Sequence, residues 1–219
     1  MTCPLNGDME RTVTPILVTQ FLENQLSDRT AIVDKMGEYT YAEINLQAEN
    51  IAKWLTNSGV KTGERVVLCG INSSRLVAAL FGILKVDAVI VPLHPDSSIA
   101  RFQFVIQDCL PTAIIIDCNF LQTHAKILHS ICKPILLISD ETNNCLINEL
   151  NIIAWSDLPQ YSGYLQLEHI SQSSLAAIIY TSGSSKDPRG VMLPHHQVVF
   201  VTTAINTVIG NCSEDVILC

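Results

Sequence analysis

Leu175-Ala176-Ala177-Ile178-Ile179-Tyr180-Thr181-Ser182-Gly183-Ser184-Ser185-Lys186-Asp187-Pro188-Arg189-Gly190-Val191-Met192-Leu193 is an apolar run that opens into a loop of hydroxyls, glycine and positive charge, then closes on a second apolar run. The loop has the chemistry of a phosphate cradle. Gly183 and Gly190 leave backbone N–H groups able to turn toward an anion. Thr181, Ser182, Ser184 and Ser185 add hydroxyl donors, and Lys186 and Arg189 bring positive charge. That density of donors suits a polyphosphate. It is not a Walker loop, because Pro188 breaks the Gly-Lys-Ser/Thr spacing, and no Gly-x-Gly-x-x-Gly follows any apolar run.

Outward from the loop, strands and helices alternate. Thr14 before Pro15 marks a helix start, with apolar positions at 16, 17, 21 and 22. Ala31–Val33 and Tyr39–Tyr41 read as a short hairpin. A helix from Ala42 to about Asn57 ends near Gly59, a suitable C-cap. Strands follow at Arg65–Cys69, Ala88–Val91, Ala113–Ile116 and Ile135–Ile138. Between them lie helices capped near Asn72 or Ser73, running from Ser98 to about Asp108, and reaching about Ile131. Continuous apolar strands between helices predict an α/β fold, a parallel sheet with helices on both faces. Residues 139 to 170 are less regular and form the candidate junction. A helix follows from His195 to about Ile209, and Glu214–Leu218 reads as the start of another strand.

Tyr180 to Ser184, Pro188, Gly190 and Val191, with His195 beyond them, resemble the signature loop of the adenylate-forming (AMP-binding) superfamily, which includes acyl-CoA synthetases and nonribosomal-peptide adenylation domains. Their pattern is Tyr-Thr-Ser-Gly-Ser/Thr-Thr-Gly-x-Pro-Lys-Gly-Val and then histidine. Two further blocks resemble the family, Tyr39-Thr40-Tyr41-Ala42-Glu43-Ile44-Asn45 and Leu84-Lys85-Val86-Asp87-Ala88-Val89-Ile90-Val91-Pro92-Leu93. All three stand in the family's order, and the resemblance runs from about Pro15 onward. The departures are Lys186 for a glycine, Ser185 for threonine, Arg189 for lysine, and Asp87 where the family usually has glycine.

The resemblance implies the first lobe of the family's N-terminal domain. Residues 1–150 would be that α/β lobe, with its N-terminal helix and short hairpin. Residues 151–219 would begin a second lobe, truncated, with the phosphate-binding loop at 180–191. It implies an ATP-dependent ligase that joins a carboxylic acid or amino acid to AMP and passes the acyl group to the thiol of coenzyme A or of a carrier protein's phosphopantetheine. Thr181, Ser182, Gly183, Ser184, Ser185, Lys186, Arg189 and Gly190 would hold the phosphates, and His195 would lie on the substrate side. The family's magnesium ligands, acid pocket and catalytic lysine lie downstream of this loop. The chain alone is therefore expected to be inactive, with no catalytic residue and no metal ligand of its own, and its partner is the missing downstream half. Two alternatives stay open: a short, non-catalytic relative that binds a nucleotide or a partner, and an unrelated α/β phosphate-binding enzyme.

Composition sets the outer bounds. At 219 residues, 48% hydrophobic and 16% charged, the chain is long enough and apolar enough to bury a core. A net charge of −8 with scattered cations argues against nucleic acid as the main partner. The apolar stretch around Leu76–Leu84 is broken by Lys85 and Asp87 and is too short for a membrane span. Met1–Arg11 is polar and carries no secretory pattern, and the eight cysteines show no metal spacing. Buried free thiols in a cytoplasmic protein are expected, with Cys69, Cys109 and Cys132 in apolar runs.

Overall fold

A computed structural model describes residues 15–25, 27–117, 120–121, 128, 135–138, 152–158, 160, 170–181, 188–211 and 215–218. Two strands, β1 (Thr30–Asp34) and β2 (Gly37–Thr40), pair antiparallel as the expected hairpin. The remaining strands form one seven-stranded sheet. They are β3 (Arg65–Cys69), β4 (Val89–Leu93), β5 (Ala113–Ile116), β6 (Ile135–Ile138), β7 (Ile152–Ala154), β8 (Leu175–Thr181) and β9 (Arg189–Pro194), in the order β7-β6-β5-β3-β4-β8-β9. Every pairing but the last is parallel; β9 returns antiparallel to β8 at the edge.

Strands β3, β4 and β5 read as apolar runs because the sheet is covered on both faces there. Alternate residues of β3 divide between two cores. Val66 and Leu68 join Ile90, Ala113 and Ile115 under α2 (Tyr41–Asn57) and α3 (Ser74–Lys85). Val67 and Cys69 join Val91, Leu93, Ile114 and Ile116 under α4 (Ile99–Cys109). Helix starts follow their caps. Thr40 and Glu43 form a reciprocal capping box on α2, while Ser73 and Ser98 cap α3 and α4 through their hydroxyls. Gly59, at φ +90°, ends α2 as its position in the sequence requires.

Asp87 explains why its position favours glycine. Its φ is +53°, in the left-handed region, where aspartate is among the few side chains tolerated. The carboxylate also accepts a hydrogen bond from the Ser174 hydroxyl at 3.2 Å, which ties the α3–β4 turn to the start of β8.

Three expectations change. The helix expected from Pro15 is short, α1 at Gln20–Glu23. The Gln20 amide oxygen takes the N–H groups of Ile16 and Leu17, and His195 takes that of Val18, so the chain is fastened outside a helix there. Strand β4 runs past Val91 through Pro92 to Leu93. Pro92 lacks an N–H, and it is accommodated near the strand's C-terminal end opposite Leu68. Val216, Ile217 and Leu218 are exposed and belong to no strand among the described residues, since an extended segment becomes a strand only when another pairs with it. The helix expected up to Ile131 falls largely outside the described residues, as do Cys132 and most of the 139–170 junction; Phe120, Leu121 and Leu128 are helical and buried.

Candidate functional site

Because β8 is parallel to β4 and β3, the chain leaves β8 at the carboxyl edge of the parallel strands, where open α/β sheets place their ligands. Thr181 ends β8 and Arg189 begins β9, and the two are register partners in the antiparallel pair. Residues 182 to 188 therefore connect two paired positions. Thr181 and Arg189 are both exposed at the mouth of that connection. Ser182, Gly183, Ser184, Ser185 and Lys186 lie outside the described residues.

Gly190 sits inside β9, opposite Tyr180. A Cβ there would lie 2.8 Å from Ile178 Cγ2 and 3.3 Å from Tyr180 Cζ, so the absent side chain makes room for a ring crossing the hairpin. That contact, rather than an unusual backbone angle, accounts for glycine at this position. Tyr180 is itself buried. Its phenol donates to Asp108 Oδ2, and its carbonyl accepts from Arg101 Nη2 at 2.7 Å. Burial first, then the bond to Asp108, raises the phenol above its ordinary value, so it stays protonated and donates. Neither Arg101 nor Asp108 stands out in the sequence. Only their seven-residue spacing on α4, which puts them on one helix face, hints at a common target.

His195 is not brought to the loop. It starts α5 (His195–Ile209), whereas Arg189, six residues earlier, marks the loop end of β9; the strand separates them by roughly 20 Å at about 3.3 Å per residue. The side chain is fully buried. Nδ1 accepts the Val18 N–H at 3.2 Å, and the His195 N–H donates to the Ser174 carbonyl. Burial pushes the imidazole below its ordinary value, which keeps it neutral and able to accept. Its visible work is to hold the N-terminal segment against the start of α5.

Beside the hairpin, a cavity of about 310 Å³ is lined by Arg65, Asp108, Leu110, Tyr180, Gly190 and Met192, among others. Arg65 donates there to the carbonyls of Cys109 and Leu110, at 2.8 and 3.0 Å, and so seals the end of α4. Burial pushes the Cys69 and Cys109 thiols up to about 12, which keeps both unreactive at neutral pH. Among the described residues, no group of three or more His, Cys, Asp or Glu could hold a metal ion, and no helix is long and apolar enough to cross a membrane.

Comparison with known proteins gives this geometry a setting. The AMP-binding enzyme family matches residues 19–219. Malpibaldin synthetase of Mortierella alpina is 31% identical over 185 residues, which is 83% of this chain and 3% of that protein. Crotonobetaine/carnitine–CoA ligase of Proteus mirabilis (strain HI4320) is 26% identical over 170 residues, 76% of this chain and 32% of the ligase. Among solved structures, VinN superposes with a TM-score of 0.73 at 28% identity, covering 91% of this chain and 48% of VinN. VinN has also been solved in complex with 3-methylaspartate and with L-aspartate. The chain thus spans a small part of the synthetase and about half of VinN.

Proposed function

The chain belongs to the AMP-binding enzyme family, and on that premise we propose that it carries the phosphate-gripping part of an ATP-dependent carboxylate-activating ligase. The observation that supports this most directly is the β8–β9 hairpin. It sets Thr181 and Arg189 side by side at the carboxyl edge of the sheet, at the two roots of a hydroxyl- and cation-rich connection.

In the proposed reaction a carboxylate oxygen attacks the α-phosphorus of ATP. The bond from that phosphorus to the bridging oxygen breaks, giving an acyl adenylate and pyrophosphate. Thr181, Ser182, Gly183, Ser184, Ser185 and Gly190 act as donors to the β- and γ-phosphates, and Lys186 and Arg189 offset the charge that builds on the departing pyrophosphate. The donor set suits a triphosphate. It offers no carboxylate cluster for Mg2+ among the described residues, so no step is routed through the metal. The acid or amino acid, the acceptor thiol of coenzyme A or a carrier protein, and the cytoplasmic setting belong to the same proposal.

So does the division at residue 150 into a first lobe and the start of a second.

The test is Arg189→Ala in the complete polypeptide, with acid-dependent pyrophosphate exchange as the readout. A fall of about 100-fold is expected, the scale for losing one preorganised charge-stabilising group. Unchanged exchange would count against the assignment. Lys186 at a position the family fills with glycine favours a second reading, a module that binds nucleotide without turnover. MgATP binding with no exchange in the wild type would select it.

A further inference from the structure

Tyr180 is the last buried residue before the loop, and one face of α4 takes hold of it at three points. Arg101 bonds its carbonyl, and Asp108 accepts from its phenol. Between them, the Phe104 ring meets the tyrosine ring edge-on, at 6.4 Å between centroids and 83° between planes. Positions 101, 104 and 108 are spaced three, four and seven apart, which aligns them along two turns of one helix face. Gly190 also lies against the ring, with no side chain to push it away.

This grip falls at the loop-proximal end of β8. Past Ala177, among the described residues, no β4 residue is in register with β8. There β9 pairs with β8 on one side, and side chains of α4 hold Tyr180. An Arg guanidinium on a carbonyl at 2.7 Å is a charge-assisted bond in a fixed fork geometry, stronger than a neutral contact.

We propose that Arg101 and Asp108 are positioning residues for the phosphate site: by holding the carbonyl and phenol of Tyr180, α4 fixes where Thr181 leaves β8 and how it faces Arg189. The inference rests on the loop being a phosphate site, but its mechanical half stands apart from turnover. Arg101 acts through the backbone of Tyr180 and reaches no reacting atom itself. A displacement of the loop root by an ångström costs the nucleotide interaction far more than it costs the fold.

The experiment uses the complete polypeptide with Arg101→Ala, and Arg101→Gln in case the first variant folds poorly. Tyr180→Phe removes only the phenol's bond. Two readouts run in parallel. Amide hydrogen exchange over the peptide 178–192 is compared with β3 and β5 as internal controls. Steady-state constants are measured separately for MgATP and for the acid.

The expected result is faster exchange at Thr181 and Arg189 with β3 and β5 unmoved. With it comes a loss of kcat/KM for MgATP of about 10- to 100-fold, while the KM for the acid stays put. Arg101→Lys should recover part of this, and Tyr180→Phe should show a smaller loss. The proposal is overturned if exchange at the hairpin is unchanged. It is also overturned if exchange rises everywhere, which would make Arg101 a general support, or if the MgATP and acid constants move together. Should the wild type neither bind nor turn over MgATP, the functional reading fails, and the exchange comparison still decides whether α4 holds the loop root.

Discussion

Helices α3 and α5 border the same sheet and are both written in apolar residues, yet they end in opposite environments. From Ser74 to Lys85, α3 buries Ala78, Ala79, Gly82, Ile83 and Leu84 against α2 and the sheet. From His195 to Ile209, α5 buries only His195 and Val199; Phe200, Val201, Ile205, Val208 and Ile209 are exposed. The difference is topological. Helix α3 crosses between two parallel strands and is drawn down onto the sheet by its connections at both ends. Helix α5 leaves the antiparallel edge strand, and only its first turn meets the body. Apolar sequence states how much surface requires covering, while the connections decide whether this stretch of chain covers it. Contiguous exposed apolar surface of this kind marks a contact face.

A matched pair of truncations gives the sharpest test of that contrast. Ile83→Ala, at a fully buried site, should cost about 3 kcal/mol of unfolding free energy through lost transfer energy and the cavity left behind. Ile205→Ala, at a site 52% exposed, should cost no more than about 0.5 kcal/mol. Urea unfolding of each variant reads both. Equal costs would mean that α5 is covered in solution, and the contrast would collapse.

Next in size is Gly82→Ala. A Cβ there would stand 2.8 Å from the Ala48 carbonyl oxygen and 2.8 Å from Ile51 Cβ, so α2 and α3 would have to part. A loss of about 2 kcal/mol is expected, read as a lower urea midpoint with the slope unchanged. A neutral result would show that the two helices are packed less tightly than this geometry requires.

How much of this was legible in the sequence follows from what each residue type encodes. Apolar runs at 65–69 and 113–116 gave strands because burial on both faces leaves no polar alternation to read. Thr40 with Glu43, and Gly59, fixed the ends of α2 because caps are local chemistry. The oddity of Asp87 was visible as a letter; its left-handed backbone and its bond to Ser174 were not, since the partner is 87 residues away. The two apolar runs that flank the signature string are legible as strands, and they pair as β8 and β9. By contrast, the hold of Arg101 and Asp108 on Tyr180 joins α4 to β8 across more than 70 residues, and no local pattern announces it. The packing of His195 is hidden for the same reason: its partner, Val18, is 177 residues distant.

His195 also sharpens the contrast at the one place where α5 is buried. Its folded pKa lies below the ordinary 6.5, so as the pH drops the unfolded chain takes up the proton first. The unfolded state then binds more protons than the native one, and stability falls with falling pH. The contribution is complete above 6.5 and is lost as the pH descends from there toward the lowered folded value. His195→Asn keeps an acceptor for the Val18 N–H but cannot titrate. Thermal midpoints of the two proteins should run in parallel above 6.5 and converge or cross below it, the wild type falling faster. Parallel curves throughout would mean that the imidazole is not sealed by the first turn of α5.

The smallest effect tests the other helix end beside the hairpin. Leu110 caps α4 with φ +46°, a left-handed conformation that costs a leucine roughly 1 kcal/mol and a glycine nearly nothing. Its side chain is 67% exposed, so little burial opposes the change. The hydrogen bonds it makes, to Ile106 and from Arg65, are through the backbone and survive substitution. Against this gain stands the greater freedom of glycine in the unfolded chain, leaving a net stabilisation of about 0.5 kcal/mol for Leu110→Gly and a rise in melting temperature of about 1–2 °C. Leu110 also lines the cavity shared with Met192 and Gly190. A fall in melting temperature would therefore show that its side chain shields the outer face of the β8–β9 hairpin, and that the hairpin, unlike α5, already has its cover within this chain.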